Sequence, residues 1–168
     1  MDKEKKIKIY AASKILQNKV GSGPLDEKLI EKAQKLIEEN DVDFTPLGLE
    51  FLEKLKEILE EISPNQDSEF SQEVKDELAK PVMTLKANAS IFHYPLVGEL
   101  AKIMLDFIET IKILDKDAID IVSAHHDTLY AIIKKKMRGD EGLKQGEAFI
   151  IELKEACARY FKKRQTTN

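Results

Sequence analysis

PVMTLKANASIFHYPLVGELAKIMLDFIETIKILDKDAIDIVSAHHDTLYAIIKKKM, residues 81–137, holds all three histidines and the densest apolar periodicity of the 168-residue chain. Leu96, Leu100, Ile103, Met104, Phe107, Ile111 and Leu114 recur at three- and four-residue steps, which places them on one face of a helix. Ala118, Ile121, Val122, His125, Leu129, Ile132, Ile133 and Met137 repeat the pattern. Tyr94-Pro95 separates the first of these helices from the segment before it, because a residue preceding proline avoids the α region. Asp115 to Asp117 marks a tight reversal between the two. Pro81 falls inside an earlier helical pattern, Phe70, Val74, Leu78, Val82, Leu85 and Ala89. It either kinks one long helix or divides a short helix ending near Ala79 from a second.

Working outward, the periodicity continues on both sides. Thr45-Pro46 is a helix start, a capping hydroxyl followed by proline in the first turn. Leu52, Leu55, Leu59 and Ile62 form its core-facing stripe. Ser63 to Ser68 is a loop, and Ser71 or Ser68 caps the next helix. Residues 25–40 form a helix with an apolar line at Leu29, Ile30, Ala33, Leu36 and Ile37. Asp26 is its candidate N-cap, and Asn40 is placed to end it in a left-handed conformation. Residues 4–19 are helix-compatible, and Gly21 to Pro24 breaks that helix. On the far side, Arg138 to Gly142 reads as a turn. Gln145 to Arg164 is the last helix, with Phe149, Ile150, Leu153, Ala156, Cys157, Tyr160 and Phe161 inward. Gln165 to Asn168 is expected to fray.

No stretch alternates apolar and polar residues over a strand length, so the fold class is all-α. Short connections make successive helices antiparallel neighbours. The expected architecture is an up-and-down four-helix bundle with one or two additional N-terminal helices. Its domain organisation is an N-terminal helical arm or hairpin over 1–44 and a bundle core over 45–165.

Composition agrees. Hydrophobic residues make up 42% and charged residues 35%, an ordinary globular balance for one domain. Residues 1–80 carry 13 lysines against 19 acids, net −6, and residues 81–168 carry 14 basic residues against 12 acids, net +2. A net charge of −4 is not the footprint of a nucleic-acid binder. No apolar run reaches the roughly 18–20 residues needed to span a bilayer. The charged N-terminus lacks the apolar core of a secretory signal, and the single Cys157 fits a reducing compartment, so the expected location is the cytoplasm.

The residues that could carry chemistry are few. His125 and His126 are adjacent on a helix and point about 100° apart. Neither has a glutamate three residues earlier, as a bundle di-iron site requires. A through-space metal or small-ligand site could draw on His93, His125, His126 and a carboxylate such as Asp127, while a histidine bonded to a neighbouring helix is the structural alternative. Cys157 lies on an apolar stripe and reads as a small packing residue rather than a nucleophile. No catalytic set, metal or cofactor is assigned.

Met83 to Leu100 carries a more specific pattern, Met83-Thr84-Leu85-Lys86-Ala87-Asn88-Ala89-Ser90, leading to a leucine-containing amphipathic helix at Leu96 and Leu100. This resembles a degenerate form of the histidine-phosphotransfer family of four-helix bundles. There a histidine, a leucine and a lysine precede a small residue, and a response-regulator receiver domain docks alongside. Lys86 matches the lysine, Leu85 the leucine, and Ala87 stands at the glycine. Met83 occupies the phospho-acceptor position and cannot accept a phosphoryl group. The resemblance implies a non-enzymatic signalling adaptor that binds a receiver domain or sensor kinase. Its docking face would be Lys86, Ala87, Asn88 and Ser90, with His93 and Tyr94 at its end. Self-association as a homo-oligomeric structural protein is a separate reading.

Overall fold

The computed structural model describes residues 26–62 and 71–165. The expected helix over 4–19, the Gly21 to Pro24 break, the loop over 63–68 and the end of the chain at 166–168 lie outside the described residues. The described secondary structure is helical, with no β-strand among the described residues. The helices are α1 (Glu27–Glu38), α2 (Thr45–Glu61), α3 (Gln72–Ala89), α4 (Pro95–Thr110), α5 (Lys116–Lys134), α6 (Gly139–Gln145) and α7 (Glu147–Gln165). The chain divides into two compact units, one ending at Leu36 and the other starting at Ile37.

Helix α1 starts as its sequence indicates, with the Asp26 carboxylate accepting the Lys28 N–H at 2.9 Å. Asn40 does not end it in a left-handed conformation. Its side chain works instead as a tie: Oδ1 accepts the Val42 N–H at 3.1 Å, and Nδ2 donates to the Ile91 carbonyl at 3.1 Å.

In the second unit, α2 packs against α3 and α5, α4 packs against α3 and α5, and α7 covers α4 and α5. The shared core comes from the apolar stripes: Leu52 and Leu55 of α2, Leu78, Val82 and Leu85 of α3, Leu100, Met104 and Ile108 of α4, and Val122, Leu129, Ile132 and Ile133 of α5. Each such side chain, fully buried, contributes about 1.5–3 kcal/mol relative to exposure.

The helix ends explain several departures from the sequence reading. Helix α2 begins one residue earlier than Thr45-Pro46 suggested, with Thr45 inside the helix and Phe44 at the N-cap. The Thr45 N–H is taken by the Asp43 carboxylate at 2.9 Å. Phe44 itself is buried, stacked on Phe92 with centroids 4.8 Å apart and tilted against Tyr94 at 5.5 Å. Ser71 caps α3, its hydroxyl accepting the Val74 N–H at 3.4 Å. Helix α3 runs unbroken through Pro81, whose ring is buried. Asp115 caps α5 by accepting the Ala118 N–H at 2.8 Å.

Met137 is not helical, because α5 closes in a Schellman turn. The Met137 N–H donates to Ile132 O at 3.1 Å and the Lys136 N–H to Ile133 O at 3.0 Å, with Lys136 at φ +52°. Helix α3 ends in the same way. The Tyr94 N–H donates to Ala89 O at 2.7 Å and the His93 N–H to Ser90 O at 3.3 Å, with His93 at φ +60°. The two turns meet where the Gly139 N–H donates to His93 O at 2.8 Å.

Residues 138–142, expected as a turn, instead lead into the short helix α6. Two glycines suggested a reversal, but Gly142 lets the helix lie against the backbone of Met137, where a Cβ would stand 2.4 Å from the Met137 carbonyl carbon. Helix α7 begins two residues after the expected Gln145, and Phe149, expected inward, is 42% exposed.

Candidate partner-docking site

Met83, Lys86 and Ala87 of α3 and Ser90 at its C-cap share one outward face by helical spacing. All four are exposed, Met83 by 57%. The face exists because Val82, Leu85 and Ala89 turn the other way, into the core.

Beside this face the α3–α4 corner forms an open cleft of about 550 Å³, lined by Lys86, Ser90, His93, Glu99, Lys102 and Asp140 among others. Farther along the α3–α4 seam lies a second cleft of about 620 Å³, bordered by Asp76, Lys80, Met83 and Glu109. Met83 borders this second cleft as an exposed apolar side chain. Among the described residues neither Lys86 nor Lys102 is drawn into an ion pair.

The docking residues suggested by sequence divide into three groups. Lys86, Ala87 and Ser90 are exposed on the face. Asn88 is half-buried, its Nδ2 donating to the Thr84 carbonyl at 2.8 Å, and His93 is half-buried at the cleft edge. Tyr94 is in the core at 1% exposure, against Phe44 and with the Arg138 guanidinium 5.7 Å from its ring centroid. A partner cannot reach it, so its part is to brace the corner. Glu99, Lys102 and Asp140 were not singled out as site residues. Glu99 and Lys102 enter through the corner, which sets the second turn of α4 against the last turns of α3, and Asp140 enters from α6.

Among the described residues His93, His125 and His126 do not gather into a group that could hold a metal ion. His125 is fully buried, with Nδ1 2.9 Å from the Ile121 carbonyl, and burial lowers its pKa while that bond opposes the change. His126 is 8% exposed, and its Nδ1 lies 2.9 Å from Asp127 Oδ1. Among the described residues no three His, Cys, Asp or Glu side chains converge as a metal would require. Cys157 is buried, and burial pushes its thiol up to about 11, which removes thiolate at neutral pH.

A further cleft of about 600 Å³ lies between the α4–α5 connection and the end of α7. Several of its polar groups bind one another. Asp115 pairs with Arg164, Asp117 with Lys163 at 2.7 Å, and Tyr160 Oη donates to Ile113 O at 3.1 Å. That arrangement fastens α7 to the α5 start.

Compared with protein-family models, with curated proteins and with solved structures, the chain matches none. Among the described residues no helix is long and apolar enough to cross a membrane.

Proposed function

We propose that this protein is a non-enzymatic, cytoplasmic docking module, an up-and-down four-helix bundle of α2 to α5 whose partner binds along the outward face of α3. The observation that carries this reading is the exposure of Met83, Lys86, Ala87 and Ser90 on one face, beside the cleft that holds His93 and Lys102. Ala87, the smallest of the four, leaves room for a partner's backbone to approach the helix. Lys86 and Lys102 offer two ammonium groups to carboxylates on the partner, which would steer and orient association. The resemblance of Met83 to Leu100 to the histidine-phosphotransfer pattern makes a receiver domain the partner class. With methionine at the acceptor position, the module would bind such a domain without passing on a phosphoryl group.

The test is an amide NMR titration of the labelled protein with isolated receiver domains. The reading expects shifts confined to the neighbourhood of Lys86, Ala87, Ser90 and Lys102. Shifts confined to α7, or none with any receiver domain, would overturn it.

Self-association has one observation in its favour. The apolar stripe of α1 is exposed, Leu29 by 64% and Leu36 by 75%. Sedimentation equilibrium of the wild type and of a Leu29→Glu, Leu36→Glu variant tests it. Self-association requires a concentration-dependent dimer that the double substitution abolishes.

A further inference from the structure

We propose that His125 is a proton-operated latch, which loosens α5 from α2, α4 and α7 when the pH falls below that of a free imidazole. The inference starts from an unbalanced polar atom. His125 has no exposed surface, its Nδ1 bonds the Ile121 carbonyl, and among the described residues its Nε2 has no partner. With Nδ1–H donating, the neutral ring leaves Nε2 as a bare acceptor, a modest cost. Protonation turns Nε2 into a donor with nothing to receive it and adds a charge in an apolar core. Both changes penalise the closed state.

Among the described residues no neighbouring group is placed to compensate. Helix α2 turns Gly48, Leu52 and Leu55 inward, and every buried residue of α4 is apolar. Helix α7 contributes Leu153, Cys157 and Tyr160. Burial raises the pKa of both Cys157 and Tyr160, so they stay neutral through the acid range. The charged side chains of α2, α4 and α7 are exposed, apart from half-buried Arg164, which pairs with Asp115. On α5 itself His126 is bound to Asp127, whose side chain is 81% exposed. The closed core therefore rejects the proton, while an opened α5 accepts it near the ordinary 6.5. With the closed ring held neutral, the open-to-closed ratio then rises about fivefold over the first pH unit below that value and approaches tenfold per unit beneath it.

Amide hydrogen exchange along residues 122–133, corrected for intrinsic rates, reads this ratio directly between pH 7.5 and 5.5. The latch predicts about a fivefold larger opening constant at pH 5.5 than at 6.5 in the wild type and in a His126→Gln control. It predicts no such rise in His125→Gln or His125→Leu. Imidazole NMR of the wild type provides a readout that needs no variant. The His125 ring should stay neutral in the closed state and titrate only with opening. A His125 midpoint near 6.5 with exchange protection unchanged would overturn the proposal, as would the same acid response in both His125 variants.

Discussion

Gly146 lies against Leu96 with no room for a methyl group: a Cβ at 146 would stand 2.1 Å from Leu96 Cδ2 and 2.7 Å from Cδ1. Leu96 is fully buried in the first turn of α4, so it has little space in which to yield. Gly146→Ala should therefore lower unfolding free energy by about 1–3 kcal/mol, the usual range for overpacking. Gly98 is the contrasting case. A Cβ there would meet Ala89 Cβ at 3.7 Å, an ordinary contact, so Gly98→Ala should raise stability by about 0.5–1 kcal/mol through the restricted unfolded chain. Urea unfolding of the two variants should move the midpoint in opposite directions.

His93 occupies a left-handed position that glycine fills with less strain. His93→Gly should stabilise the fold by about 1 kcal/mol, and His93→Val should destabilise it. If the imidazole contributes to docking, the glycine variant gains stability and loses partner affinity together. Measuring both on the same sample separates packing from function at this residue.

Cys157 should be inert in the folded protein. With its thiol pushed up to about 11, little thiolate exists at pH 8, and burial blocks the reagent. An aromatic disulfide probe should label it only at the rate of opening, and immediately in denaturant. Fast stoichiometric labelling of native protein would show that α7 does not cover this thiol.

Asp43 joins the α2 start to the α5 end. Hydrogen bonding from Thr45, whose N–H lies 2.9 Å away, together with the Lys136 ammonium at 3.1 Å, holds its carboxyl down at about 2. Its folded pKa lies below the ordinary 3.8. The stabilisation is therefore complete above that value and fades as pH falls through about 2. Asp43→Ala should lower the melting temperature at pH 7, and the gap from wild type should close as the pH approaches 2. High salt should shrink the Lys136 part, since both side chains are more than half exposed.

Helices α2 to α5 and α7 were legible because each buries a stripe at three- and four-residue steps, and Leu100, Met104 and Phe107 of α4 announce that spacing without competition. Helix ends were harder to read. At Lys136 and His93 the chain enters the left-handed region without a glycine, because neighbouring hydrogen bonds hold it there. The α6 helix was hidden by Gly139 and Gly142, which usually signal turns. Of the candidate site, Lys86, Ala87 and Ser90 were legible as one outward face, since Leu85 and Ala89 fix which way α3 rolls. Tyr94 was misplaced because its depth depends on Phe44, fifty residues earlier, and local pattern carries no such information. Lys102 and Asp140 join the cleft only through tertiary packing of the α3–α4 corner and α6.

The most direct measurement is the dissociation constant for receiver domains of the same organism, taken for the wild type, Lys86→Glu and a Lys154→Glu control on the exposed side of α7. The docking account predicts binding to at least one receiver domain, weakened about tenfold or more by Lys86→Glu and unchanged by Lys154→Glu. Equal affinity for the wild type and Lys86→Glu, or no binding by any receiver domain, would contradict it.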